Sequence, residues 1–261
     1  MSDTFLSLRG EGFVRVASFA VILPAAGKSS HFGDAYYKKP FAPLENRPVW
    51  LHAAEKFANR PDVQKTILVI SPEDREHFDS HFGGNAALLG VQVIEGGAER
   101  SDSVAAGLAH VPPEIDFIAV HDSARPCLAE HWIDAVFAAA EKSGAAILAT
   151  PITGTLKRAA DDRTITETVS RTGLWEAQTP QVFRRDLLLQ AYQQRGAESA
   201  TDDAQLVERL GHPVTMVPCS AMNLKITTQD DLRLAAAVLR VLPKPKTFGP
   251  AHPFADDPVW K

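Results

Sequence analysis

Short apolar runs recur along the chain, and each is followed by a segment long enough to form a helix. Several of these runs are almost continuously apolar, which is typical of strands in a parallel sheet that helices cover on both faces. The predicted strands span residues 19–24, 66–71, 91–95, 117–121 and 145–151. The segments between them have helical composition and spacing at residues 49–58, 72–82, 101–109 and 129–142.

Alternation of strands and helices implies right-handed crossovers between parallel strands. We therefore predict an α/β fold built on a doubly wound, mostly parallel, Rossmann-like sheet. Sheets of this kind bind their ligands beyond the carboxyl ends of the strands. The residues that directly follow each apolar run are therefore the first candidates for a functional site.

The alternation breaks at residues 153–170, where the sequence TGTLKRAADDRTITETVS is polar and only weakly periodic. Its turn-like Ala-Asp-Asp-Arg favours a hairpin that projects from the sheet as an interaction arm. Alternation resumes with helices from about Arg184 and at residues 202–210, a strand at 214–218 and a final helix at 228–242. Trp175 and Phe183 are expected to belong to the core.

These patterns predict a single domain at residues 18–242, with the arm at about 153–171. Residues 1–17 form an N-terminal extension. Residues 243–261 are rich in proline and lack periodicity, so we expect an extended or mobile tail.

The composition excludes several classes of function. With a net charge of -5, the chain offers no broad basic surface to nucleic acid or membranes. No apolar run approaches the roughly 20 residues of a membrane span, and the opening MSDTFLSLRGEGFVRVA lacks the pattern of a signal peptide. Cys127 and Cys219 have no metal or redox spacing. A disulfide between them is one interpretation, and free thiols in the cytoplasm are the simpler one.

The first predicted strand leads into VILPAAGKSSHFG, residues 21–33, whose Gly-Lys-Ser suggests an NTP-binding P-loop. A P-loop also needs a glycine five residues before its Gly-Lys pair, and Ile22 occupies that position. The P-loop is therefore excluded. Two interpretations stay open: small residues that let backbone N–H groups and a lysine approach an anion, or a plain glycine turn.

Three other segments carry groups that suit an anionic ligand. GGAERSDSV places Arg100 and Ser103 at the start of a helix, whose N-terminus favours anions. HDSARP carries Asp122 and Arg125, either as a helix cap with a surface ion pair or as part of a Mg²⁺ site, since Mg²⁺ takes carboxylates together with substrate phosphates. Lys225 precedes the last predicted helix. The convergence of these groups on one edge of the sheet predicts a phosphate-binding site.

Taken together, seven segments resemble the 2-C-methyl-D-erythritol 4-phosphate cytidylyltransferase family of the non-mevalonate isoprenoid pathway. They are PAAG (24–27), KPF (39–41), GGAERSDSV (96–104), VHDSARP (120–126), RTGLWEAQTPQVF (171–183), TDD (201–203) and NLKIT (223–227). Their order is that of the family. PAAG and KPF recur across sugar-nucleotide transferases, whereas HDSARP, GLWEAQTPQ and Lys225 are more specific in combination.

The resemblance implies a nucleotidyltransferase in which a sugar-alcohol phosphate attacks the α-phosphorus of CTP and releases pyrophosphate, with Mg²⁺ or another divalent cation as cofactor. Lys39, Lys225 and Asp122 would be catalytic, and Asp122 would also hold the metal. The implied nucleotide-binding residues are Ala25, Ala26, Gly27, Gly97 and Ser103, and the implied acceptor-binding residues are Arg125, Thr155, Arg171 and Thr179. In this family the arm reaches across a homodimer, so Thr155 and Arg171 would serve the partner subunit's site.

One loop departs from the family pattern. The family usually has Ala-Ala-Gly-x-Gly-x-Arg, whereas residues 28–32 are Lys-Ser-Ser-His-Phe, and the loop to Lys39 is one residue longer. Either Lys28 or His31 replaces the missing arginine, or triphosphate binding is weaker and the loop path differs. Lys38 rivals Lys39 as the phosphate lysine, although the proline and aromatic residue that follow favour Lys39.

Other functions fit parts of the sequence. A cytidylyltransferase for another polyol phosphate, such as ribitol 5-phosphate, would differ only in its acceptor pocket, where Arg171 and Thr179 favour methylerythritol phosphate. A non-catalytic relative that binds CTP is supported only by the altered loop. His77 and His81 could pair on a metal, but a solvated helix face is the simpler interpretation because the zincin glutamate is missing.

Overall fold

The computed structural model describes residues 6–8, 13–27, 38–196, 198 and 200–243, with backbone alone at 6–8 and 13–15. Its strands are β1 Leu6–Leu8, β2 Phe13–Arg15, β3 Phe19–Pro24, β4 Pro43–Leu44, β5 Arg47–Pro48, β6 Val63–Ile70, β7 Val91–Glu95, β8 Phe117–Val120, β9 Ala145–Pro151, β10 Leu156–Ala159, β11 Ile165–Val169, β12 Trp175–Arg184 and β13 Thr215–Pro218. Its α-helices are α1 Val49–Ala58, α2 Arg75–Leu88, α3 Arg100–Leu108, α4 Glu130–Ser143, α5 Arg185–Gln193, α6 Asp203–Arg209 and α7 Gln229–Val241. Short 3₁₀ helices span Lys39–Phe41 and Pro72–Asp74.

Seven strands form one sheet in the order β13-β9-β12-β8-β3-β6-β7. Neighbouring strands are parallel except where β12 runs antiparallel to both β8 and β9. The predicted doubly wound, mostly parallel sheet is confirmed. The chain passes from β3 to β6 on one side and later returns to β8 on the other. The carboxyl ends of β3 and β8 therefore form the switch point at which ligands bind in this fold class.

The central strand β3 is buried on both faces because helices cover both sides of the sheet. Val21 and Leu23 belong to one apolar layer, together with Trp50 of α1, whereas Ile22 belongs to the opposite layer, which includes residues of α3 and α5. Gly107 allows α3 to approach the sheet closely, since a Cβ there would lie 2.7 Å from Cγ2 of Ile22. This contact fixes α3, whose first turn borders the candidate site.

The apolar pattern did not predict β12, although it is central and 10 residues long. Its sequence WEAQTPQVFR contains neither an apolar run nor regular alternation. Two buried glutamines make the strand compatible with the core because their amides are paired. Asn223 Nδ2 donates to Oε1 of Gln178 at 3.1 Å, and Gln181 Nε2 donates to a carboxylate oxygen of Asp202 at 2.8 Å.

The remaining predicted elements are present, with boundaries that shift by a few residues. The largest shift is in α2, which continues to Leu88 instead of ending at Phe82. Gly83 and Gly84 follow the predicted end, but a glycine in a helix lowers stability without breaking the helix. Ala86, beyond the glycines, is buried and holds this end of α2 on the core. The short pairs β1–β2 and β4–β5 were not predicted because strands of two or three residues carry no periodic pattern.

The predicted arm is present as an antiparallel pair of β10 and β11, separate from the large sheet. Its residues are mostly exposed, and Ile165 is 61% exposed. Phe183 is buried as predicted. The prediction for Trp175 is wrong: it lies at the start of β12, close to the arm, and is 37% exposed.

The predicted domain limits stay predictions, since most of the extension and nearly all of the proline-rich tail lie outside the described residues. Within the described ranges, no helix is long and apolar enough to cross a membrane.

Candidate active site

The candidate site lies at the switch point, where the segments after β3 and β8 meet. Ser123 Oγ donates a hydrogen bond to the carbonyl of Pro24 at 2.7 Å and joins the two segments. Of the twelve site residues that the resemblance implies, seven line one pocket here: Ala25, Ala26, Gly27, Lys39, Ser103, Asp122 and Lys225. The strand ends that the sequence predicted to converge therefore do converge.

Asp122 is the electrostatic centre of this pocket. Lys225 Nζ lies 2.9 Å from its Oδ2, Arg100 Nε lies 3.3 Å from its Oδ1, and Arg125 Nε lies 3.5 Å from its Oδ2. Burial opposes ionisation of the carboxyl, but the charges of Arg100, Lys225 and Arg125 outweigh it and hold the pKa well below its usual range. Asp122 is therefore an anion that collects three cations at neutral pH.

Lys39 faces the same pocket from the 3₁₀ helix that follows the loop. Burial lowers the pKa of its ammonium group, and the positive charge of Lys225 lowers that pKa further, while Asp122 opposes both effects. Two lysines that repel each other across a pocket provide a favourable site for an anion. A bound phosphate would relieve the repulsion.

The structure separates Lys38 from Lys39. Lys38 Nζ donates to Asp74 Oδ2 at 2.9 Å and to Glu73, so its charge is paired with the segment that follows β6. Lys39, in contrast, lines the pocket. The geometry therefore favours Lys39 as the phosphate lysine.

Lys225 is held in place by its neighbours in the chain. Asn223 and Ile226 are fully buried, and the N–H of Ile226 donates to the carbonyl of Ala124 at 2.9 Å. The next residues cap α7, because Asp231 accepts from the N–H of Thr228 at 2.8 Å while the Thr228 side chain accepts from the N–H of Asp231. The lysine thus projects from a short, well-anchored connection.

Ser103 and the glycines before it pack closely together. A Cβ at Gly96 would lie 2.5 Å from Ser103 Oγ, and one at Gly97 would lie 2.4 Å from Cβ of Asp102. Only glycine allows this loop to lie against the first turn of α3. Gly97 supports the pocket wall through this packing, and Ser103 lines the pocket.

A second cleft adjoins the first and contains two of the predicted acceptor-binding residues, Arg125 and Thr179. Its walls include Arg100, Asp122 and Lys225, which also line the first pocket. The guanidinium of Arg125 is buried and donates to the carbonyl of Asn223 at 2.7 Å. The shared cations therefore lie between two adjoining clefts.

Arg100 lines the pocket as its place at the start of a helix suggested, but the sequence did not reveal its partners. Its guanidinium connects Asp122 to Asp203, a fully buried carboxylate 2.8 Å from its Nη2. Tyr192 donates its hydroxyl proton to Asp203 as well. Burial lowers the pKa of the Arg100 guanidinium, but Asp203 and Asp122 raise it more, so the charge is permanent. The segment TDD gave a signal for Asp203, yet pairing across about a hundred residues cannot be inferred from local pattern.

His121 is a second residue whose role the sequence did not reveal. It follows β8 and is fully buried, with its ring 5.3 Å from that of Phe57. Its Nε2 lies 3.0 Å from the carbonyl oxygen of Arg125, and its Nδ1 lies 3.0 Å from Oγ1 of Thr179. Burial lowers the pKa of the imidazole to about 4, so the ring is neutral at pH 7.

Thr155 and Arg171 are not brought to either cleft within one chain. Both flank the arm and are exposed, and Arg171 donates to the carbonyl of Thr153. Lys28, Ser29, Ser30 and His31 lie outside the described residues.

His77 and His81 stack with ring centroids 4.2 Å apart, and His81 Nδ1 lies 2.9 Å from the carbonyl oxygen of His77. Among the described residues, no three His, Cys, Asp or Glu side chains are grouped so that they could hold a metal ion.

The open, mostly parallel sheet, its cation-lined pocket at the switch point and the solved structures that it resembles define an α/β protein of the nucleotidyltransferase class. Residues 19–241 match the model of the IspD family, described as 2-C-methyl-D-erythritol 4-phosphate cytidylyltransferase. The chain belongs to this family.

Relatives and solved structures agree with this assignment. The chain is 44% identical to the 2-C-methyl-D-erythritol 4-phosphate cytidylyltransferase of Rhodopirellula baltica over 85% of this chain and 95% of the relative. It is 43% identical to the enzyme of that name from Chromobacterium violaceum over 84% and 96% of the two chains. The crystal structure of the Thermus thermophilus cytidylyltransferase superposes with a TM-score of 0.70 at 33% identity, covering 85% of this chain and 99% of the other.

Proposed function

We propose that this protein transfers the cytidylyl group of CTP to 2-C-methyl-D-erythritol 4-phosphate, forming 4-diphosphocytidyl-2-C-methyl-D-erythritol and pyrophosphate. The observation that carries the proposal is the arrangement of Arg100, Asp122 and Lys225 on the walls of two adjoining clefts. Two anionic reactants bound in these clefts would meet beside shared positive charge. The relatives that bear the name of this activity support the choice of acceptor.

The reaction needs positioning and charge neutralisation more than proton transfer. A phosphate oxygen of the acceptor is already deprotonated at neutral pH and requires no general base. It forms a bond to the α-phosphorus of CTP as the bond from that phosphorus to the bridging oxygen breaks, and the electron pair leaves with pyrophosphate. The barrier is dominated by repulsion between anions, which fixed cations reduce.

The pocket residues divide between the two reactants. Ala25, Ala26 and Gly27 line the nucleotide side of the pocket, where the N–H of Ala25 donates to the carbonyl of Val69 at 2.7 Å, and Gly97 and Ser103 complete the wall on the side of α3. Lys39 and Lys225 neutralise charge that develops around the α-phosphorus. Arg125 and Thr179 border the cleft proposed for the acceptor.

A divalent cation fits this site if it takes most of its ligands from the triphosphate and water. Asp122 is ionised and faces the pocket, and it is the single carboxylate among the described residues that line the pocket. Mg²⁺ is commonly held by one or two carboxylates plus substrate phosphates. We propose that Asp122 holds such an ion, which would neutralise part of the triphosphate charge.

We also propose a homodimer in which the arm of one subunit reaches the acceptor cleft of the other. The support is the separation of Thr155 and Arg171 from both clefts of their own chain, together with the exposed Trp175 beside the arm. A cytoplasmic location is proposed because Cys127 and Cys219 are free thiols.

Pyrophosphate release from CTP and Mg²⁺ tests the proposal, with methylerythritol 4-phosphate and ribitol 5-phosphate offered separately. We expect turnover with the first acceptor and a loss of about ten- to a hundredfold in Lys225→Met, since a hydrogen bond to a charged group contributes about 1.5–3 kcal/mol. Lys142→Met, which removes an exposed lysine from α4, should leave turnover unchanged.

Turnover with ribitol 5-phosphate alone would transfer the assignment to the other acceptor. CTP binding without turnover of either acceptor would favour a non-catalytic relative and direct attention to residues 28–31.

A further inference from the structure

The protein groups around His121 determine which of its nitrogens carries the proton. The carbonyl oxygen of Arg125, 3.0 Å from Nε2, can only accept a hydrogen bond. Nε2 must therefore carry the hydrogen. The ring is fully buried and its two partners are a carbonyl and a hydroxyl, so no carboxylate pairs with a second ring proton. Nδ1 is then an acceptor, and its partner at 3.0 Å is the hydroxyl of Thr179, which must donate.

The same hydroxyl holds the backbone of Asp122. The N–H of Asp122 donates to Thr179 Oγ1 at 3.0 Å. Since the hydroxyl has a single proton, which it gives to His121, it has none left to donate to a phosphate. Thr179 lines the acceptor cleft, and its hydroxyl is at the same time part of a hydrogen-bond path inside the protein.

These bonds enclose the turn that carries the charged residues of the site. The N–H of Arg125 donates to the carbonyl of Asp122 at 2.9 Å and closes the turn. His121 holds the end of the turn through the Arg125 carbonyl, and Thr179 holds its start through the Asp122 N–H. Asn223 extends this hydrogen-bond network, because its Nδ2 donates to the carbonyl of Thr179 at 2.9 Å.

We propose that His121 is a positioning residue that acts through Thr179 to fix the turn from Asp122 to Arg125. The buried path runs from the Arg125 carbonyl through the imidazole and the Thr179 hydroxyl to the Asp122 N–H. Its effect on catalysis rests on the proposed function; the hydrogen-bond path itself does not. A displacement of about 1 Å of a catalytic group can lower a rate a hundredfold, so a rigid backing for Asp122 has kinetic consequences.

Four variants test the path. His121→Phe keeps a ring and removes both hydrogen bonds, whereas Thr179→Val keeps the shape and removes the hydroxyl. We expect each to lower kcat by about ten- to a hundredfold with a smaller change in KM for CTP. Thr179→Ser should restore most of kcat because it restores the hydroxyl. The double variant should be little worse than Thr179→Val alone, because both changes break one path.

A matched control removes a histidine-to-carbonyl hydrogen bond elsewhere. His52 Nε2 lies 2.8 Å from the carbonyl oxygen of Leu44, away from both clefts, and His52→Phe should leave kcat unchanged. Thermal unfolding of every variant separates loss of fold from loss of position. Independent, additive losses in the double variant, or normal kcat in Thr179→Val, would overturn the proposal.

A measurement on the unaltered protein needs neither the variants nor turnover. Nitrogen-15 NMR of labelled histidine should show His121 protonated at Nε2 and unprotonated at Nδ1 at pH 7. A proton on Nδ1 would overturn the path even in an active enzyme. Absence of turnover in the unaltered protein would instead contradict the proposed function, while the NMR result would still decide the hydrogen-bond path.

Discussion

The Nζ of Lys225 lies 2.9 Å from Oδ2 of Asp122, and this pair joins the last connection of the chain to the segment after β8. The pair holds the lysine at the boundary between the two clefts. Together with Arg100, Lys225 also holds the pKa of the Asp122 carboxyl well below its usual range, so the carboxylate is ionised beside the lysine.

Replacement of Asp122 separates its proposed role as a metal ligand from the effect of its negative charge on nucleotide binding. In Asp122→Asn we expect kcat to fall by about tenfold or more, because the proposed metal ligand and the common partner of three cations are both lost. CTP binding without metal should not weaken, since a negative charge is removed from a pocket for an anion. The Mg²⁺ dependence of turnover and calorimetric CTP binding in EDTA measure the two effects.

The matched control for this change is Asp79→Asn, which removes a carboxylate paired with Arg75 on the exposed side of α2. An unchanged Mg²⁺ dependence in Asp122→Asn would contradict the proposed metal role.

The interaction between the two pocket lysines predicts the direction of a pKa change. Burial and Lys225 both lower the pKa of Lys39, whereas Asp122 raises it. Lys225→Met removes one lowering effect and leaves Asp122 in place, so the pKa of Lys39 should rise. NMR titration of labelled lysine in the nucleotide-free protein measures this pKa.

Lys142→Met, on the outer side of α4, should leave the pKa of Lys39 where it was. A fall or no change in Lys225→Met would show that the two ammonium groups do not share the pocket.

The proposed exchange of arms between subunits predicts that two inactive variants restore activity when mixed. Arg171→Ala lacks a functional arm but keeps its clefts, and Lys225→Met keeps the arm. A mixed dimer therefore contains one complete site. After denaturation and refolding together at equal concentration, we expect about a quarter of the unaltered activity, because random pairing gives half mixed dimers with one site each.

A mixture of Lys39→Met and Lys225→Met should recover no activity, since both changes damage the clefts and no arm can repair them. Equal recovery in the two mixtures, or none in the first, would contradict shared sites. Light scattering establishes whether dimers form at all.

The buried pairing of Tyr192 with Asp203 predicts a cost in stability. Tyr192→Phe leaves the ring in place and removes the hydroxyl that donates to a fully buried carboxylate. We expect the free energy of unfolding to fall by about 1.5–3 kcal/mol, as for other hydrogen bonds to charged groups. Urea unfolding should show a lower midpoint with an unchanged slope.

The exposed hydroxyl of Ser80 provides the comparison, since Ser80→Ala should change the free energy of unfolding by less than about 0.5 kcal/mol. Equal effects of the two changes would show that Asp203 does not depend on the tyrosine.

Apolar runs and their spacing predicted the parallel part of the sheet because strands covered on both faces have to be apolar throughout. The bounds of β3, β7 and β9 follow directly from these runs. β12 was not predicted, because its burial depends on amide pairs such as Gln181 with Asp202. Partners that are distant in sequence leave no local pattern.

The site residues also divide into those that the sequence could predict and those that it could not. Residues directly after a strand, such as Asp122 and Gly27, could be found because the fold class assigns ligands to that edge. Arg100 and His121 gain their roles from contacts with Asp203 and Thr179, which a pattern along the chain cannot reveal. The choice between Lys38 and Lys39 likewise required the position of Asp74.

The reversed direction of β12 has a consequence for the connections of the chain. β9 ends at Pro151 on the ligand edge, and β12 starts from that same edge, with Trp175 paired to Pro151. The arm is inserted between them, so it leaves and re-enters the sheet without a crossover helix. A parallel strand in this position would have to be entered from the opposite edge. The reversal of one strand therefore lets the arm extend from the same edge of the sheet that carries the two clefts.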